Sequence, residues 1–300
     1  MADARPGFAF AACCAVWGTT FLVIKSSNDA FAPLWGAALR LALAALILAA
    51  VWLVRRDAMP RGRVLLVVVL FGLFDFGINL GLLYWGERSV PSGLSAVFYA
   101  TVPVVTLLLA RLVGQEKLDA WKLAGMLAAF AGVIVVFASE LTARADPWAL
   151  VAILGAAASA ALSSVLLRTI PPQPVVPTVT LGCAASAALL LVGSLVFGET
   201  WATPSSLAPW WPILYLAVLG SIVAFGLFTW LLNVWPASSA TLVGVIVPVV
   251  AVTVGAVAAR ERLALTTLAG GALVLAGVAM ALLRARRLDR RTRAPHAEAR

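Results

Sequence analysis

Two ionisable side chains stand deep inside otherwise apolar stretches of this 300-residue chain, Arg40 and Asp75. A charge among apolar neighbours has to be met by an opposite charge, by hydrogen bonds or by a proton. Arg40 lies about eight residues, roughly 12 Å, from the end of its apolar run, and Asp75 lies about ten or eleven residues, roughly 16 Å, from the end of its own. Those depths let the two meet. Asn79 follows Asp75 by four residues and shares its helical face. Three chemistries fit: an anchor for a zwitterionic or polar substrate, a carboxyl that carries a proton, or a structural Arg40–Asp75 pair. Arg40 alone also fits a side chain that reaches for lipid headgroups. Intramembrane catalysis is not expected from this composition. The single histidine is His296, and Asp75 is the sole acid deep in an apolar run, so neither a Ser–His dyad nor a two-aspartate centre is available. Cys13, Cys14 and Cys183 have neither disulfide nor metal-site spacing.

Other candidates gather around this pair. Trp17 and Phe21 share a face of the first segment, where an aromatic lining suits flat apolar substrates. Most of the eleven tryptophans lie near segment ends, as an aromatic belt requires, and Trp17 does not. Tyr99 shares a face with Ser92 and Pro103, and Thr241 shares one with Gly244 and Pro248. Thr229 completes the expected substrate site of Trp17, Phe21, Arg40, Asp75, Asn79, Tyr99, Thr229 and Thr241. Pro103 and Pro248 each remove a helix hydrogen bond and bare a carbonyl, which makes them candidate gating hinges.

The elements that position these residues follow from composition. The chain is 63% hydrophobic and 12% charged, with mean hydropathy +1.02. Soluble domains are about 45–50% apolar and about 25% charged, so lipid is the expected solvent. The charges collect in short connectors between apolar runs of a length that spans a bilayer as helix. Ten runs are expected, near residues 7–27, 32–54, 64–85, 91–113, 119–139, 147–169, 176–197, 208–232, 237–258 and 264–284. With the first residue placed in the cytoplasm, 16 Lys and Arg fall on the inner side and 5 on the outer. That bias puts both termini in the cytoplasm. The net charge of +9 comes mostly from the tail after Arg284, which suits anionic headgroups; nucleic-acid binding is not expected.

The chain also repeats itself. Pro91, Pro103, Glu116, Gly125 and Gly132 recur 145 positions later as Pro236, Pro248, Glu261, Gly270 and Gly277. The expected organisation is a five-helix repeat over 1–143, a second over 144–284 and a basic tail over 285–300. Five is odd, so the second repeat enters the membrane from the opposite side. An inverted repeat with its site at the interface is the architecture of many secondary transporters. The glycine pairs read as close helix packing. Glu116 and Glu261 read as connector acids that neutralise Lys or Arg, with a role in a closing gate as the alternative. Asp75 and Asn79 correspond to Gly220 and Ala224, so they occur in one half only, which suits an asymmetric ligand.

Together these residues resemble the drug/metabolite transporter superfamily, and within it the bacterial EamA family of ten-helix proteins. The resemblance rests on Trp17-Gly18-Thr19-Thr20-Phe21 with Lys25, on Arg40, and on Ala96, Pro103, Glu116, Gly125 and Gly132 repeated as Thr241, Pro248, Glu261, Gly270 and Gly277. It implies two inverted five-helix repeats around a central cavity, with helices 5 and 10 outside it. It also implies export of small metabolites across the bacterial cytoplasmic membrane. Asp75 matches no general motif of the family. The expectation is an all-α membrane protein that exports amino acids, aromatic or apolar ones included, by alternating access. An exporter of organic cations and a channel-like facilitator are the alternatives. No cofactor and no metal are expected; the proton is a candidate coupling ion, and the assembly is a monomer or a homodimer.

Overall fold

The computed structural model describes residues 4–90, 92–138, 146–201, 203–259 and 265–293. These form helices joined by short connectors, with no strand among them. Nine segments among the described residues are long and apolar enough to cross a membrane, and Ala120–Val136 is a shorter apolar helix. Numbered along the chain, α1 is Arg5–Asn28, α2 Pro33–Arg55, α3 Gly62–Gly86, α5 Ala120–Val136, α6 Pro147–Leu167, α7 Val175–Val196, α8 Ala208–Val234 and α10 Leu265–Arg293. Two helices are broken. Helix α4 consists of Ser92–Tyr99 and Val102–Leu112, and α9 of Ala237–Ala240 and Val243–Ala259.

The helix starts follow the local chemistry. Pro33 and Pro147 occupy first-turn positions, where the missing N–H costs nothing. Asp119 caps α5 by accepting from the Lys122 N–H, and Asp146 caps α6 by accepting from the Trp148 N–H. Helix α2 takes its cap from elsewhere: the Glu199 carboxylate, beyond the end of α7, accepts from the N–H groups of Leu34 and Trp35 at 3.1 and 2.9 Å. Trp35 stacks on Trp201 beside it, with ring centroids 4.9 Å apart.

Helix α5 packs along α10 and α2 along α7. The repeated glycines carry the first contact. A Cβ on Gly132 would lie 2.7 Å from the Gly270 carbonyl oxygen, and one on Gly277 2.6 Å from that of Gly125. Backbones meet there because no side chain intervenes. Helices α3 and α7 cross the same way at Gly72 and Gly182.

Helices α3 and α8 each contain a π-helical stretch, at Leu73–Ile78 and Leu216–Val223. A shift of 145 positions carries the first stretch into the second. Such turns widen the helix and free carbonyls from the regular ladder. Asp75 lies in one of them and Ser221 in the other.

The two prolines are not equivalent. Pro103 sits in the first turn of the second piece of α4, after a break at Ala100 and Thr101. Pro248 lies inside the second piece of α9, whose break comes earlier, at Thr241 and Leu242. Only Pro248 therefore matches the expected mid-helix proline. Pro103 follows the break and lies in the first turn of the next helical piece, where its missing N–H costs nothing.

Candidate functional site

A cavity of about 80 Å³ lies between α1, α2, α3, α4, α6, α8 and α9. Trp17, Arg40, Asp75, Asn79, Tyr99 and Thr241 all stand on its wall. Among the described residues, neither α5 nor α10 contributes to the wall. Two expected members differ. Thr229 is buried behind the wall, and its hydroxyl has no partner among the described residues. Phe21 lies in α1, and its side chain falls outside the described residues.

Arg40 and Asp75 form no ion pair among the described residues; each has its own support. Arg40, 2% exposed, donates through Nε to the Ser221 hydroxyl at 3.0 Å and through Nη1 to the Tyr84 hydroxyl at 3.2 Å. Its guanidinium carbon lies 5.9 Å from the centre of the Phe225 ring. A Cβ on Gly220 would come within 3.1 Å of Nη2, so the bare glycine leaves the fork its room. Asp75, 4% exposed, accepts from the Ser163 hydroxyl through Oδ1 at 3.0 Å, and its Oδ2 has no partner among the described residues. A buried guanidinium held only by neutral groups and a buried carboxyl with one idle oxygen both call for a charged or protonic guest.

Side chains meet carbonyls in and beside the π stretches. Ser186 donates to the Gly72 carbonyl at 2.8 Å and Ser159 to that of Phe74 at 2.7 Å. The Asn79 amide donates to the Asp75 carbonyl at 3.0 Å. In α8, Trp17 Nε1 donates to the Gly220 carbonyl at 3.2 Å. This fixes the indole of Trp17, which meets Phe225 and Phe228 at centroid distances of 5.6 and 5.3 Å. All three rings stand on the wall. Asn79 and Tyr99 bond each other through amide and hydroxyl at 3.0 and 3.2 Å, joining α3 to α4.

The geometry thus adds Tyr84, Ser163, Ser221, Phe225 and Phe228 to the residues singled out from sequence. Ser163-Ser164, a polar pair inside an apolar run, carried a visible signal. Phe225 follows Ser221 by four residues and so shares its face. Tyr84 carried no signal, because its partner Arg40 lies 44 residues away.

An all-helical, bilayer-length bundle enclosing a cavity with buried charges is the architecture of a small-molecule membrane transporter. The model of the EamA-like transporter family matches residues 5–138 and again 143–283, and the chain belongs to that family. It is 33% identical over 272 residues to the uncharacterized inner membrane transporter YedA of Escherichia coli (strain K12), across 89% of this chain and 87% of that one. It is 24% identical over 275 residues to the uncharacterized transporter YoaV of Bacillus subtilis (strain 168), across 88% and 92%. A shorter match, 34% over 123 residues and 40% of each chain, is to the probable terminal-alkyne amino-acid exporter of Streptantibioticus cattleyicolor. A solved crystal structure of a chain with 21% identity superposes with a TM-score of 0.77 over 94% of this chain and 98% of the other, a likeness of fold alone.

Proposed function

We propose that this transporter exports zwitterionic amino acids with apolar or aromatic side chains across the bacterial inner membrane, by alternating access. The observation that carries the reading is the separate support of Arg40 and Asp75 on one small wall. A guanidinium with no carboxylate partner receives the substrate carboxylate. A carboxyl with an idle Oδ2 receives the substrate ammonium. Trp17, Phe225 and Phe228 offer a surface for the side chain, worth roughly 1.5–3 kcal/mol for a fully buried large apolar group. The amino-acid exporter among the relatives supports the same substrate class.

In this reading the two family-matched segments are inverted repeats, and both termini face the cytoplasm. Broken α4 and α9 supply the moving walls, with flexing near Pro103 and Pro248. The chain has no nucleotide-binding loop in its sequence, so the driving force is a gradient, either the substrate's own or a proton's exchanged at Asp75.

Counterflow in proteoliposomes tests this. Radiolabelled L-phenylalanine or L-leucine accumulates against unlabelled internal substrate, saturably, and Asp75→Asn abolishes accumulation. Exchange of organic cations without exchange of amino acids would replace this reading with the alternative. Non-saturable flux would indicate a channel-like facilitator.

A further inference from the structure

A buried charged cluster on one face, one turn from the cavity wall, joins the two halves of the chain. After α4 the chain turns at Gly114, whose φ of 76° permits the reversal, and brings the N–H of Glu116 back to the Ala110 carbonyl. The Glu116 carboxylate then reaches across to the first turn of α9. Its Oε1 accepts from the Ser238 N–H at 3.1 Å, and its Oε2 accepts from the Ser238 hydroxyl and from Lys122 Nζ, the latter at 2.6 Å. Lys122 also donates to the Ser238 hydroxyl at 2.6 Å and is only 3% exposed. Ser238 lies one turn before Thr241, a residue of the cavity wall.

The same face carries further ties. Arg168, one turn beyond the wall residue Ser164, donates to the carbonyls of Leu232 and Trp235 and so binds α6 to the end of α8. Gln115 donates to the Val165 carbonyl at 3.0 Å. All four helices joined here, α4, α6, α8 and α9, line the cavity.

We propose that Glu116, Lys122 and Ser238 form a gate that closes the cavity on this face and parts when the opposite face closes. The ions match each other in the dry closed state. Opening the face to water hydrates both, so the cluster separates without stranding a charge. Removing one member strands the other in a dry site, where an uncompensated charge is strongly unfavourable. The closed state is then weakened and the face opens. Lys122 belongs to α5, outside the cavity, so the gate also ties the moving wall to the packed scaffold of α5 and α10.

The proposal rests on alternating access but not on any substrate, and a substrate-free readout keeps the two apart. The native Cys13, Cys14 and Cys183 are replaced by alanine, and Ala160→Cys places one thiol on the cavity wall. Its reaction with a membrane-impermeant thiol reagent is measured from each side of oriented vesicles. Lys117→Cys, on the exposed connector, identifies the side that bears Glu116. With the gate intact, the cavity thiol reacts at least tenfold faster from the opposite side. Glu116→Gln and Lys122→Met each raise the rate from the Glu116 side at least tenfold. Ser238→Ala, which strands no charge, raises it about threefold and decides the matter if the charged-site variants do not fold. Rates from the Glu116 side that stay within twofold of the parent in the folded variants would overturn the proposal, whatever amino-acid transport does.

Discussion

At the scale of single residues, the site depends on how each charge is held. Arg40 presents a planar fork whose Nε and Nη1 are already committed to Ser221 and Tyr84, which fixes the direction of the rest. Lysine keeps the charge and loses the fork. Arg40→Lys is therefore expected to weaken substrate affinity by about tenfold or more while the protein stays folded, as read by equilibrium binding beside a melting curve. Glu87 makes a different prediction. It lies just beyond the membrane-spanning part of α3, its Oε1 is sealed from solvent with no partner among the described residues, and burial pushes its pKa up to about 8. The native state thus holds a proton that the unfolded chain releases above about pH 4.3. Stability from this proton is complete at low pH and falls as pH rises towards 8. Glu87→Gln removes that slope. The melting temperature of the variant relative to the parent should climb between pH 5 and 8 and then level off. A difference independent of pH would contradict the assignment. Arg40, Asp75 and Asn79 were legible in the sequence because polar groups stand out in apolar runs. Which residues hold Arg40 and Asp75 was not. Ser163 lies 88 residues from Asp75 and Ser221 lies 181 from Arg40, so only the packing of distant helices reveals them.

At the scale of elements, glycine sets how closely helices approach. A Cβ on Gly72 would fall 2.1 Å from the Gly182 Cα, a clash with backbone that no side-chain rotation relieves. On Gly226 the nearest atom would be Val175 Cγ1 at 3.7 Å, an ordinary contact. Gly72→Ala should cost about 1–3 kcal/mol or prevent folding, whereas Gly226→Ala should leave the melting temperature within a degree or two of the parent. Asp119 gives a second check. The Arg284 guanidinium, bonded to it at 2.7–2.9 Å, holds its carboxyl below the ordinary range and ties the start of α5 to the end of the apolar part of α10. A depressed carboxylate stabilises above its unfolded pKa of about 3.9 and loses that contribution as pH falls below it. Asp119→Asn should therefore narrow the stability gap to the parent as pH drops from 5 to 3. The ten apolar runs themselves were plain from residue order, because a bilayer fixes their length and excludes charge. The π stretches were invisible. They depend on serines and a tryptophan from other helices meeting freed carbonyls, and no local pattern encodes that. The two repeated prolines also stand differently in their helices, because α9 breaks earlier relative to the repeat than α4 does.

At the scale of the whole molecule, the two family-matched segments divide the work unevenly. The first supplies Arg40, Asp75, Asn79 and Tyr99. The second supplies Ser163 and Ser221, which steady the two charges, and the aromatic pair Phe225 and Phe228. Under the proposed reading, the two ends of a zwitterion meet Arg40 and Asp75 from one half, and Ser221 and Ser163 of the other half help to hold them, with Tyr84 of the first half also on Arg40. The charged cluster at Glu116 spans the same division, so rocking of the halves would part the gate and reshape the cavity together. The most direct test of this account is L-phenylalanine counterflow in proteoliposomes, challenged with N-acetyl-L-phenylalanine and L-phenylalaninamide. The account predicts that unlabelled L-phenylalanine competes fully and that each derivative, lacking one of the two charges, competes at least tenfold more weakly. Equal competition by the amide and the free amino acid would contradict a carboxylate site at Arg40, and equal competition by the N-acetyl form would contradict an ammonium site at Asp75.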